Sequence, residues 1–325
     1  MPCGEEPESR VFTPNVDTAG VYWWRAIDST TLQDSLHYLE FVAMNGITEI
    51  YLNVNNLSNV AGFGEATVQD AYFDETAMTM HIRPLQEFVR TAYAKGITIY
   101  ALHGSSGELI IPTSPSRTSF NRRIFGIRVF NYISAQDEQI PGLQFNIEPH
   151  QHAEWRAEAD RPVHDRPRRQ LFMQQKMDFV IEMHDTLGDE FRIDWCMPFW
   201  WNVTSARPYM NVVGRNGAEM SLYQGLVLES NRVLVMAFRD NADNMYNIAR
   251  HVVAFANAHD TPVVFLATVS ESKAHARFYE AGKLEMYYQL NRMRDIVPKD
   301  FVQRNLLGVA IHHVFSWYEL QYERT

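Results

Sequence analysis

Residues 83–103 read RPLQEFVRTAYAKGITIYALH. Apolar residues return at helical spacing after Arg83-Pro84, and Lys95-Gly96 supplies the basic-then-glycine ending that helix C-termini favour. The β-branched and aromatic run Thr98–His103 follows at once, so the stretch is a helix that feeds a strand with almost no loop. Units of this kind, repeated, build a parallel sheet wrapped by helices.

The same alternation runs in both directions from there. Strands are predicted at Gly20–Trp24, Glu49–Val54, Thr98–His103, Leu143–Ile147, Arg192–Met197, Val233–Phe238, Val263–Ala267 and Gly308–His312. A first helix opens on Ser29-Thr30-Thr31 as its N-cap and closes before Asn45-Gly46; long amphipathic ones cover Arg168–Leu187, Ala242–Ala258 and Ala274–Arg294, and a short one lies near Ser221–Leu228. Only Ser316–Thr325 remain after the last strand, too few for a helix of normal length. The pattern fits the α/β class and a single (β/α)8 TIM barrel with a reduced last helix, residues 20–325, behind an N-terminal tail, residues 1–19. A doubly wound open sheet is the alternative.

Composition agrees with a large buried core: 325 residues, 46% hydrophobic and 21% charged. A net charge of −10 repels phosphate backbones, so nucleic acid is not an expected partner. Two cysteines, Cys3 and Cys196, cannot make a disulfide framework or a cysteine metal site. The opening MPCGEEPESR has no signal-peptide pattern and the apolar runs are too short to span a bilayer, so a cytoplasmic protein without membrane partner is expected. Oligomeric state is not legible.

In such a barrel the C-terminal ends of the strands carry the chemistry. The long connections 55–80, 104–116, 148–166 and 198–220 all leave from that end. Strand one ends in Trp23, Trp24 and Arg25, strand two in Asn53, strand three in His103, and strand four in Asn146, Glu148, His150 and His152. Strand five offers Trp195, Trp200 and Trp201, strand six Arg239 and Asp240, strand seven Glu271, strand eight His312, His313 and Trp317. Six of the seven tryptophans thus cluster on one rim with carboxylates. Indole faces stack on the C–H face of a pyranose while acids and amides bind its hydroxyls, which points to carbohydrate. Glu148, at the tip of a buried strand, is the expected general acid, with burial raising its pKa. Asp240 is either a second catalytic carboxylate or the N-cap of the sixth helix. Trp23, Arg25, Asn53, His103, Asn146, Trp195, Trp200, Arg239, His312 and Trp317 are the expected substrate contacts.

No cofactor or metal is expected. Strand one lacks the His-x-His of metal-dependent barrel hydrolases, and adjacent His312 and His313 point to opposite faces. Neither G-x-G-x-x-G after a strand nor G-x-x-x-x-G-K-[ST] occurs; Gly104-Ser-Ser-Gly107 has the composition of a phosphate cradle but is short.

With GLQFNIEPH (142–150) on strand four, LVMAFRD (234–240) on strand six and GVAIHHVFSW (308–317) on strand eight, the chain resembles a group of glycoside-hydrolase-like (β/α)8 barrel proteins. More distantly it is similar to chitinase-like glycoside hydrolases. That resemblance implies a glycoside hydrolase acting on an oligo- or polysaccharide, with Glu148 in the place of the general acid that ends D-x-x-D-x-D-x-E. It also aligns Val235–Asp240 with V-M-x-Y-D and makes Trp317 the floor of the sugar site. The chain departs from the pattern at Asn146, where the family has an acid that orients the substrate acetamido group. An amide still binds an acetamide but cannot share a proton with Glu148. A non-catalytic carbohydrate-binding barrel and a metal-dependent barrel hydrolase are the alternatives.

Overall fold

The computed structural model describes residues 11–16, 18–65, 67–270 and 278–320. Eight parallel strands close into one barrel: β1 (Thr18–Trp23), β2 (Glu49–Asn53), β3 (Thr98–Ser105), β4 (Gly142–Ile147), β5 (Arg192–Pro198), β6 (Arg232–Met236), β7 (Val263–Thr268) and β8 (Leu307–His312). They neighbour one another in chain order, and β8 pairs with β1 through Thr18↔Gly308 to Val21↔Ile311. The open-sheet alternative is thereby removed.

Each strand is followed by a helix. These are α1 (Leu32–Met44), α2 (Arg83–Ala94), α3 (Pro115–Ile133), α4 (Pro167–Leu187), α5 (Leu222–Leu228), α6 (Ala242–Ala258), α7 (Gly282–Ile296) and the six-residue α8 (Val314–Glu319), the reduced last helix. Caps refine the boundaries. The N-cap of α1 is Thr31, within the expected Ser29-Thr30-Thr31, and the turn before it is held by the Asp28 carboxylate, which accepts from the Thr30 and Thr31 amides at 2.9 and 3.0 Å. Asp74 accepts from Ala77 N (2.8 Å), so helical turns begin at Glu75, ahead of the Arg83 start. Asn241, accepting from Asn244 N at 2.9 Å, is the N-cap of α6, which takes that role away from Asp240. Part of the expected tail belongs to the barrel: Phe12 is buried, stacks on Tyr287 at 4.7 Å and donates its N–H to Asn45 Oδ1.

Two antiparallel segments in the β5–α5 connection, Asn211–Val213 and Glu219–Ser221, were not foreseen. Their outer edge is occupied by α4: Gln174 donates to Val213 O (3.1 Å) and accepts from Val213 N (2.8 Å), and Gln170 donates to Asn211 O.

Strand alternation divides the core in two. Outward residues such as Val21, Trp23, Ile50, Phe145, Trp195 and Phe265 pack under the helices. Inward residues Tyr22, Tyr51, Tyr100, Leu102, Cys196, Leu234, Leu266 and Ala310 fill the barrel. At its N-terminal end Arg232, fully buried, donates to Glu49 Oε1 and Oε2 (2.9 and 2.6 Å), to Asp194 Oδ2 (3.1 Å from Nε) and to the Tyr51 hydroxyl (3.2 Å). Arg192 adds a contact to Asp194 (3.3 Å) and one to Tyr100 OH (3.4 Å). Two guanidiniums face two carboxylates.

Candidate functional site

At the C-terminal end, β4 runs out at Ile147, and the backbone N–H of Glu148 bonds Ser105 O at the tip of β3 (2.8 Å). Pro149 prevents further pairing, so the Glu148 side chain turns into the barrel mouth with 17% of its surface exposed. Its carboxylate accepts from Asn146 Nδ2 (3.3 Å) and Gln151 Nε2 (2.7 Å), and His150 Nε2 lies 3.2 Å from Oε2. Burial pushes its pKa up, but hydrogen bonding and charge from His150, then the amides of Gln151 and Asn146, outweigh burial and hold it below the usual value. This corrects the expectation of a raised pKa: the free protein holds Glu148 as a carboxylate. Neither rim arginine pairs with it. Arg25 lies over the Phe315 ring (4.5 Å), and Arg239 lies over Phe199 (5.2 Å) and bonds Phe238 O.

Opposite β4, Trp24 Nε1 donates to His312 Nε2 at 3.0 Å, which places the imidazole proton on Nδ1. Burial, then the adjacent His313, lowers the His312 pKa to about 4, against the pull of Glu148, so the ring is neutral at neutral pH. Asn53 Nδ2 bonds Trp24 O (2.9 Å) and fixes that corner. Gly104 is required there, because a Cβ would stand 2.9 Å from the Trp24 ring. Trp200, partly exposed, meets His150 edge to face at 5.1 Å. Trp24, Asn53, Asn146, Glu148, His150, Gln151, Trp200 and His312 thus make up the mouth.

Several predicted contacts lie elsewhere. Trp23 and Trp195 are fully buried on the outer face of the sheet, and Trp317 is fully buried on α8. Trp23 packs on Phe88 and Phe315, and Trp195 stacks on Phe145 at 4.4 Å. Trp317 donates to Tyr287 OH (3.0 Å) against Phe41, so it supports α8 and cannot floor a sugar site. Trp201 is buried too. His103 also faces out, packed on Phe120 with Nδ1 2.5 Å from Arg123 Nη1. Asp240 is half-buried and accepts from Asn241 Nδ2 (2.9 Å), apart from the hydrogen bonds around Glu148. Glu271 lies outside the described residues.

Sequence reading missed Gln151 as a holder of Glu148, and it missed Lys176. That lysine sits on the buried stripe of α4 with Met173, Met177 and Val180, its Nζ 3.9 Å from the centre of the Trp195 ring and without a hydrogen-bond partner. Burial depresses its pKa well below the ordinary value. The signal was available: one lysine at i, i+3, i+4 spacing among apolar residues.

The fold and the placement of the site at the strand C-termini define a (β/α)8 barrel. Among solved structures it is similar to a plant class V chitinase from Cycas revoluta, determined with (GlcNAc)3: TM-score 0.49, 10% identity, 92% of this chain and 95% of that one. A chitinase from Bacteroides thetaiotaomicron gives 0.45 at 10% identity, over 93% and 91% of the two chains. D-Psicose 3-epimerase from Clostridium cellulolyticum, determined with D-tagatose, gives 0.44 at 14%, over 91% and 84%. No family model matches the chain, and no curated protein does. Among the described residues, no helix is long and apolar enough to cross a membrane.

Proposed function

We propose that the barrel is a glycoside hydrolase whose mouth binds an oligo- or polysaccharide against Trp24 and Trp200, with Glu148 as its proton donor. The observation that carries the proposal is the Glu148–His150 contact at 3.2 Å beside the Trp200 indole. In the open mouth, the donors around Glu148 favour its carboxylate. A bound sugar expels water from the mouth, and the lower dielectric disfavours the carboxylate, so Glu148 takes up a proton from solvent as the sugar binds. Glu148 then protonates the glycosidic oxygen, Asn146 holds a substrate amide or hydroxyl, and Asp240 or a substrate acetamide assists at the anomeric carbon.

Glu148→Gln keeps shape and removes the transferable proton. Turnover of chromogenic hexosides and hexosaminides falls by roughly 10²–10⁴-fold while sugar affinity, read by tryptophan fluorescence, changes little. His150→Asn removes the contact to Glu148 Oε2 and lowers kcat on the same panel. An unimpaired Glu148→Gln removes the assignment. The second reading, a carbohydrate-binding barrel without turnover, is favoured by Asn146, which leaves Glu148 without an adjacent acid. Sugar binding with no hydrolysis across the panel selects it.

A further inference from the structure

Behind the mouth, between the end of β3 and the start of α3, lies a cavity of about 350 Å³ lined by Asn55, His103, Ser105, Ser116, Ser119 and Arg123. Ser116, Ser119 and Arg123 are spaced i, i+3 and i+7 on α3 and form one stripe facing it.

Arg123 decides what the cavity attracts. The groups within hydrogen-bond reach of it are uncharged: His103 Nδ1 at 2.5 Å and Ser58 Oγ at 3.4 Å. Burial, then the guanidinium beside it, holds the His103 pKa well below its ordinary value, so His103 is a neutral acceptor. Among the described residues no carboxylate pairs with Arg123; burial alone acts on it and lowers its pKa to about 10. Other arginines of the same helix are matched, Arg117 with Glu182 and Arg128 with Glu190, each at 2.7 Å. A half-buried guanidinium without counter-charge is costly, and the positive end of the 19-residue α3 adds to the excess.

We propose that this cavity binds an oxyanion, the sulfate, phosphate or carboxylate group of an acidic saccharide, with Arg123 as its ion-pair partner and Asn55, Ser116 and Ser119 as donors. The oxyanion chemistry stands on the cavity itself, whereas its attachment to a saccharide rests on the carbohydrate reading above. Two neighbouring residues join the spaces. Gly104 lines the cavity and touches Trp24; Ser105 lines it and accepts the Glu148 N–H. An acidic substituent in the cavity therefore lies beside a sugar in the mouth.

The test is calorimetric titration of the full chain with inorganic sulfate and phosphate at constant ionic strength. Saturable binding with a dissociation constant on the order of 1 mM is expected. Arg123→Gln weakens it by roughly 10–100-fold, Arg123→Lys restores part, and Arg122→Gln, on the exposed side of the helix, leaves it unchanged. Should Arg123→Gln fail to fold, Ser119→Ala reports instead, with a few-fold loss. Absence of saturable binding, or equal binding by Arg123→Gln, overturns the oxyanion site. A second arm compares a sulfated oligosaccharide with its neutral parent. Tighter binding of the sulfated form, lost in Arg123→Gln, supports a saccharide source; equal binding of both overturns that source. Binding of inorganic sulfate with no binding of either oligosaccharide overturns the carbohydrate reading and leaves the oxyanion site standing.

Discussion

The two ends of the barrel handle buried polarity in opposite ways. At the N-terminal end, Arg232 spends its donors on Glu49, Asp194 and Tyr51, and Arg192 completes the set. Towards the mouth, Asn146 Oδ1 and His150 Nδ1 are buried without a hydrogen-bond partner, as are both amide atoms of Gln144 deeper inside the barrel. A saturated network fixes one arrangement, whereas unfilled hydrogen-bonding capacity in the mouth is available to whatever binds there. The charged end closes the fold and the underused end is where the proposed site lies, as (β/α)8 barrels divide their two faces.

The sharpest way to break this division is Arg232→Met, which keeps volume but leaves Glu49 and Asp194 buried without their shared cation. A loss of about 3–5 kcal/mol in urea unfolding is expected. A loss under about 1 kcal/mol would mean that the network is not what closes this end.

The next effect concerns the mouth and acid. His312 has a folded pKa of about 4, below its unfolded value of about 6.5, so the unfolded chain takes up the proton first. Its contribution to stability is therefore full above about pH 6.5 and is lost as pH falls towards 4, about 3 kcal/mol at most. His312→Gln removes that loss. Thermal unfolding of wild type and variant between these pH values should diverge accordingly, and parallel curves would show that His312 does not titrate in this way.

The smallest effect sharpens the contrast from inside the barrel. If Gln144 is unsatisfied, Gln144→Leu removes two buried polar atoms and raises stability by about 1 kcal/mol. Destabilisation would show that the Gln144 amide is hydrogen-bonded in solution and that the interior beyond the charged end is satisfied as well.

The eight strands were legible because each is a short β-branched run between helix caps and glycines, and the extra antiparallel pair was not, because its strands are only three residues long. The site was legible in part. Naming rim residues needs the strand's parity, since a shift of one residue exchanges the two faces. At β1 parity decides between Trp23, buried under helices, and Trp24, in the mouth. At β5 a signal lay in plain view: Asp194 within an apolar run has to face a cation inside the barrel, and that turns Trp195 outwards. The cation itself was hidden, because Arg232 lies 38 residues from Asp194 and 183 from Glu49 along the chain. The Glu148 pKa was misjudged for a related reason. Burial follows from a strand tip, but the opposing donors His150 and Gln151 come from an irregular turn whose side-chain directions no periodicity gives.

The glutamines of α4 have a consequence for how this protein meets other chains. An exposed strand edge is a template on which a neighbouring molecule can continue the sheet. Barrel closure leaves no such edge among the eight main strands, and at the Asn211–Val213 segment Gln170 and Gln174 stand in for the missing third strand with their side-chain amides. Association by backbone augmentation is thus blocked on the closed barrel and at the Asn211–Val213 edge of the small sheet. A partner that docks here has to do so through side chains.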